Sequence, residues 1–281
     1  MTRTLKSILK EILTLEEISQ VYSSYDVIGD IIIIKLPGSL NLKKQIIAKT
    51  ILENVKPAKS IFVQISGVQG DYRIRSLEYL AGINNTVTEY REHGCRFKVD
   101  VVKTYFSPRL STERLRIAKM ITNNEIIINM FGGVGTYSII IAKKNLTCKV
   151  YNIDSNPSAN ELALFNAKLN KLQDRVLPIC GDAREVINDQ LKGLASRVLM
   201  PLPEKANEFI DSAVLALKGK KGTIHFFAHV KAHTKKLAIE IGADHSGQAF
   251  NKYNHKIIAA RVVREVGPRI YQVVSDVYLA G

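Results

Sequence analysis

Glu125-Ile-Ile-Ile-Asn129-Met-Phe-Gly-Gly-Val-Gly135-Thr-Tyr-Ser138 is an apolar run that empties into glycines and resumes with helical spacing. A strand, a glycine loop and a helix in that order bring bare backbone and the positive end of a helix to one point. A nucleoside or a phosphate can be cradled there. A tight structural turn has the same sequence, so the loop alone does not choose between the two.

The residues after the loop repeat the pattern. Strand candidates are Cys148 to Ile153, Val176 to Cys180, Arg197 to Met200 and Thr223 to Ala228. Helix candidates are Asn156 to Asn170, Ala183 to Leu191, Lys205 to Leu217 and Val230 to Ile241. Such alternation predicts an α/β fold with a parallel sheet covered on both faces. Lys256 to Arg264 and Ile270 to Val277 read as antiparallel strands that close it. A further helix is expected over Thr112 to Met120, with Ser111 as its cap.

The first third is of another kind. Leu5, Ile8, Leu9, Ile12, Leu13 and Ile18 have helical spacing. Asp26 to Pro37 reads as a turn and a strand, Leu40 to Val55 as a helix and Ser60 to Ser66 as a strand. Thr86 to Tyr90 and Phe97 to Thr104 read as strands joined at His93-Gly94. The division falls near Ser107-Pro108. This gives an N-terminal α+β domain over 1–107 and a cofactor-binding domain over 108–281.

Composition limits the partners. Of 281 residues, 40 are Lys or Arg and 26 are Asp or Glu, so the net charge is +14. An excess of that size attracts a polyanion such as RNA. Cys95, Cys148 and Cys180 are far apart, with neither disulfide nor zinc spacing. Met1-Thr-Arg-Thr-Leu-Lys6 lacks the apolar core of a signal peptide, and no apolar run reaches the roughly 20 residues that span a bilayer. A cytoplasmic protein that uses no membrane is expected. His225, His229 and His233 are spaced by four, but His225 sits in a strand pattern, so no metal site is expected.

Two acidic residues sharpen the loop. Asp154 ends the second strand, about 20 residues after the glycines, where a carboxylate suits a ribose diol. Asp182, in Gly181-Asp-Ala-Arg184, follows the third strand and is placed to accept from an adenine amino group. Either is equally a helix cap by itself. Together with Phe131, Gly132, Gly133, Val134, Gly135 and Ala183 they form a candidate nucleoside-cofactor set. The full G-x-G-x-x-G pattern of NAD-binding loops is absent.

Tyr105-Phe-Ser-Pro-Arg-Leu-Ser-Thr-Glu-Arg114, the glycine loop, Asp154-Ser-Asn-Pro157 and Gly181 to Arg184 together resemble the archaeal and eukaryotic tRNA (guanine-37-N1)-methyltransferases. That family includes the enzymes that build the tricyclic base wyosine at the same position. The resemblance runs from about Asp26 to the C-terminus. It implies a class I methyltransferase fold: a Rossmann-like doubly wound sheet with a smaller N-terminal α+β domain. It implies S-adenosyl-L-methionine in the glycine loop and a tRNA anticodon stem-loop, that of tRNA-Phe, as partner. It implies that Arg73 holds the base edge, that Tyr105 contacts the cofactor side and that Glu113 is the general base. From the residues alone, Glu113 reads as a first-turn helix acid, and Arg73 and Arg75 as a solvated face. Arg109, Arg114, Arg116 and Lys143-Lys144 are further candidates for phosphate contact, Arg109 foremost.

Two departures bear on the substrate. Where the family has Asn-Leu-Pro after the fourth strand, this chain has Met200-Pro-Leu-Pro203, and Pro201 has neither a side-chain donor nor a backbone N–H. About 25 residues precede the matching region, too few for the extra N-terminal domain of many archaeal members. Both departures point to C7 methylation of 4-demethylwyosine. N1 methylation of guanosine-37, or a bifunctional enzyme, is the alternative. An aminocarboxypropyl transferase of the same pathway and a non-catalytic RNA-binding protein are further alternatives.

Overall fold

The computed structural model describes residues 4–23, 25–70 and 72–281. The chain divides into two units, Met1–Pro108 and Arg109–Gly281.

The first unit opens with two short helices, α1 (Leu5–Leu9) and α2 (Leu15–Gln20), where the sequence pattern reads as one helix. Thr14 is the reason for the break: its hydroxyl accepts from Glu17 N while the Glu17 side chain accepts from Thr14 N. This reciprocal cap starts a new helix. The strands β1 (Asp26–Ile28) and β2 (Ile31–Ile34) lead to α3 (Lys44–Asn54), then β3 (Ser60–Gln69) and β4 (Ile74–Gly82). They form one sheet in the order β1-β2-β3-β4, with β2 and β3 parallel. α3 turns Ile47, Ala48 and Ile51 onto Ile32, Ile34 and Ile61. Each isoleucine removed from water there contributes about 2 kcal/mol. The strands β5 (Val87–Glu92) and β6 (Cys95–Asp100) make a hairpin of their own.

The second unit runs α4 (Ser111–Met120), β7 (Ile126–Asn129), α5 (Thr136–Lys144), β8 (Lys149–Asp154), α6 (Pro157–Leu169), β9 (Val176–Cys180) and α7 (Ala183–Val186). It continues with β10 (Arg197–Met200), α8 (Ile210–Ala216), β11 (Lys221–Lys231), α9 (Lys235–Ala249), β12 (His255–Gly267) and β13 (Ile270–Ala280). Among the described residues its sheet has the order β12-β13-β11-β10-β7-β8-β9. From β11 to β9 the strands are parallel, and β13 and β12 close the sheet antiparallel. The chain winds outward from β7 through β8 to β9, then returns to β10 on the other side of β7. That reversal falls at the carboxyl ends of β7 and β10, the place where doubly wound sheets bind ligands.

Several expected boundaries move: the helix expected over Lys205 to Leu217 is regular only over Ile210–Ala216, and the strand expected over Phe97 to Thr104 is Cys95–Asp100. The helix expected from Val230 begins at Lys235, because Val230 and Lys231 stay in the β11 ladder opposite Tyr271 and Ile270. Thr234 then caps α9. Ser111 is the first residue of α4 rather than its cap, a position that falls to Leu110. Among the described residues, no helix is long and apolar enough to cross a membrane.

Candidate cofactor and base site

The glycine loop lies at the reversal of the sheet and is fixed from below by side chains. Asn129 Nδ2 donates to Ser138 Oγ (3.3 Å), Ser138 Oγ donates to Asn152 Oδ1 (2.6 Å), and Asn152 Nδ2 donates to the Gly133 carbonyl (3.4 Å). All three side chains are buried. They link the ends of β7 and β8 to the first turn of α5. A Cβ on Gly132 would run into the Asn152 amide, so no other residue fits there. Gly133 and Gly135 have φ of 54° and 88°, in the left-handed region open to glycine. Val134 is held through its carbonyl by Asn166 Nδ2 (3.0 Å).

Asp154 ends β8 beside this loop. Its Oδ2 accepts from Gly133 N (2.7 Å) and its Oδ1 from Asn156 N (3.0 Å). Burial raises its pKa, and the two backbone hydrogen bonds oppose that only in part. Asp154 is not the cap of α6. Asn156 takes that role, with Pro157 at the first helical position. Asp182 does cap its helix: its Oδ1 accepts from Arg184 N (2.8 Å), and its Oδ2 accepts from Arg184 Nη2 (2.7 Å). That guanidinium lowers its pKa. Ala183 is buried behind it. Phe131 packs edge-on against Phe209 (4.9 Å), and the Arg184 guanidinium covers the Phe209 ring (4.7 Å). Phe209 and Arg184 were not in the expected set. Their side chains come together only through the fold, and a lone Phe 78 residues after Phe131 gives no sequence signal.

The residues expected to act on the base fall in both units. Within the first, Arg73 stands in the turn before β4 with φ of 54°, and its guanidinium lies over the Tyr105 ring at 4.8 Å. Arg75 is not solvated: it pairs with Asp26 (2.8 Å) and donates to the Phe106 carbonyl (3.2 Å). Within the second, Arg109 precedes α4 and is exposed, and Pro201 follows β10 beside the loop strand. Arg114 is 2% exposed, which removes it from the exposed positions expected to meet phosphate.

Glu113, in the first turn of α4, is also 2% exposed. Arg116 Nη2 and Nε donate to its Oε1 (2.7 and 2.9 Å), and Nε reaches Oε2 at 3.1 Å. Burial raises its pKa despite these bonds. Arg116, expected at the surface, is instead bound on its other side to Asp276. His225 bonds Asp276, and His229 lies 3.6 Å from Glu204. A carboxylate that holds its proton more firmly than usual, set in the same unit as a nucleoside-shaped loop, can serve as a general base.

Comparison with known proteins agrees with this geometry. Residues 88–258 match the model of the TRM5/TYW2 methyltransferase domain, and residues 5–86 match that of the TYW2 N-terminal domain. The second match begins well before Asp26, where the sequence resemblance was placed. The tRNA (guanine(37)-N(1))-methyltransferase Trm5b of Methanocaldococcus jannaschii is 39% identical over 90% of this chain and 70% of its own length. The tRNA 4-demethylwyosine(37)-methyltransferase Taw21 of Saccharolobus solfataricus is 35% identical over 97% of this chain and 99% of its own. The crystal structure of P. horikoshii TYW2 in complex with MeSAdo superposes with a TM-score of 0.78 at 27% identity, covering 98% of this chain and 97% of that one. The chain is a methyltransferase of the TRM5/TYW2 family.

Proposed function

We propose that the chain methylates the base at position 37 of tRNA with S-adenosyl-L-methionine, and that its substrate atom is C7 of 4-demethylwyosine in tRNA-Phe. The observation that carries the substrate choice is Pro201. A proline at the carboxyl end of β10 offers neither an amide side chain nor an N–H to a guanine edge. The match to Taw21 over nearly the full length of both chains supports the same choice.

The loop residues fit the cofactor. The Gly132 backbone, bare by necessity, leaves room for close approach, and α5 points its N-terminus there. Each oxygen of Asp154 is given one backbone donor and keeps lone-pair capacity for a ribose hydroxyl. Phe131, Phe209 and Asp182 flank the place where an adenine would lie. When bound, S-adenosylmethionine supplies an electrophilic methyl group. The protein orients the base and removes a proton. Arg73, stacked on Tyr105, holds the base edge. Glu113 takes the departing proton at Oε2, the oxygen less heavily bonded by Arg116. Arg109 meets backbone phosphate, while Arg75 holds the N-terminal unit together and supports Arg73 two residues away.

A second reading, N1 methylation of guanosine-37, is favoured by the 39% identity to Trm5b. Purified enzyme and labelled cofactor decide between them, on an unmodified tRNA-Phe transcript and on the same tRNA carrying 4-demethylwyosine. Transfer to the tricyclic base is expected. Efficient transfer to guanosine-37 alone would overturn the C7 reading, and transfer to both would make the enzyme bifunctional.

A further inference from the structure

Behind Glu113 runs a continuous line of charged groups through the second unit. Arg116 donates to Glu113 on one side and to Asp276 on the other, through Nη1 to Oδ2 (2.6 Å) and Nη2 to Oδ1 (3.0 Å). His225 Nδ1 meets Asp276 Oδ1 at 2.6 Å, and His225 Nε2 meets Arg197 Nη1 at 3.0 Å. Arg197 closes on Glu125 through Nε (2.7 Å). A guanidinium only donates, so His225 Nε2 must accept. The proton is therefore on Nδ1, directed at Asp276, and the imidazole is neutral. His225 is fully buried, which also disfavours its charged form.

Two guanidiniums thus hydrogen-bond three carboxylates. Arg197 is matched by Glu125, and Asp276 and Glu113 share Arg116. Asp276 stands on β13, and burial alone would raise its pKa. The hydrogen bonds from His225 and Arg116 override that and hold it ionised, well below the usual carboxylate range. Glu113 is left with a share of Arg116 and the more distant, more exposed Arg261. The groups that face it are Arg116 on its own helix, Arg261 on β12 (Nε 3.7 Å from Oε2) and Asp276 on β13.

We propose that Asp276, oriented by His225, is a positioning residue for Glu113: by claiming half of the Arg116 fork it fixes the angle of that guanidinium and leaves Glu113 a stronger base. This rests on Glu113 being the general base. A carboxylate fully neutralised by its own arginine would be a poor proton acceptor near neutral pH. One that shares its arginine with a second, permanently ionised carboxylate holds a proton more firmly.

The test is the pH profile of kcat for the intact enzyme, with labelled S-adenosylmethionine and the accepted tRNA. Glu113→Gln addresses the underlying reading. Activity within threefold of wild type would show that Glu113 is not the base, whatever Asp276 does. If Glu113→Gln loses about a hundredfold or more, Asp276→Asn is informative. Its acidic limb is expected to move down by about one unit, with a lower plateau and an unchanged KM for the cofactor. An acidic limb that stays in place in a folded variant that binds cofactor would overturn the proposal. Should Asp276→Asn not fold, the Glu113 carboxyl is titrated in the wild-type enzyme by isotope-edited infrared spectroscopy, with Glu113→Gln to identify the band. A pKa at or below the ordinary glutamate value of about 4.3 would equally overturn it.

Discussion

Gly132 shows how narrowly single residues are fixed at this site. Its Cα faces the Asn152 amide, which is held in turn by Ser138 and Asn129. A methyl group at position 132 must displace either the loop backbone or that buried relay, at a cost of about 1–3 kcal/mol. Because the loop is the part that can yield, the cost falls on the ligand. Gly132→Ala is expected to weaken S-adenosylmethionine binding at least about tenfold by calorimetry, which corresponds to roughly 1.4 kcal/mol. An alanine enzyme that binds cofactor as wild type does would show that the loop backbone is not the cradle. The glycine itself is legible in the sequence as part of Phe131-Gly-Gly-Val-Gly135. The residue that makes it necessary is not, because Asn152 is 20 positions away and reads as an ordinary strand residue.

At the scale of the element, legibility follows the range of the interactions. The parallel strands and the helices between them can be read because each carries its own apolar pattern and each ends in a turn or cap. Boundaries set by a distant partner cannot be read. β11 runs on through Val230 and Lys231 because β13 offers Tyr271 and Ile270 opposite, about 40 residues later. The line from Glu113 to Glu125 escaped for the same reason, as its members come from α4, β13, β11, β10 and the residue before β7 and share no spacing. His225 drew attention for its four-residue periodicity with His229 and His233, a helical signal in a segment that is a strand. α9 makes an element-scale prediction with its two inner glycines. A Cβ at Gly247 meets nothing within 4 Å, whereas one at Gly242 meets Val273 Cγ1 at 2.5 Å. Gly247→Ala is expected to stabilise the protein by about 0.5–1 kcal/mol, since alanine loses less backbone entropy on entering a helix. Gly242→Ala is expected to destabilise it by about 1–3 kcal/mol through overpacking against the sheet. Thermal or urea unfolding of the two variants checks both signs. Matching signs would mean that the helix is not seated on β13 as described.

For the whole molecule the argument turns on charge. Internal ion pairs consume acids and bases in equal number. Glu17 with Lys43, Asp26 with Arg75, Glu125 with Arg197 and Asp211 with Lys252 are examples. Pairing therefore leaves the excess of +14 intact and outward-facing in effect. S-adenosylmethionine carries no phosphate, so its recognition by backbone amides and Asp154, as proposed, is local and nearly blind to salt. A tRNA brings one negative charge per nucleotide, and each phosphate neutralised releases counterions. Affinity for it then falls as a power of salt concentration, with an exponent of about 0.7–0.9 per phosphate contacted. Four or more such contacts weaken tRNA binding about a hundredfold between about 50 and 200 mM monovalent salt. The expected result is a split: KM for tRNA climbs steeply over that range, while KM for the cofactor and kcat at saturating tRNA move less than about twofold. Arg109→Ala is expected to lower the exponent by about one if that residue contacts a phosphate. An exponent unchanged by Arg109→Ala would take the residue out of the RNA interface. A tRNA affinity indifferent to salt would mean that the basic excess serves some purpose other than binding RNA.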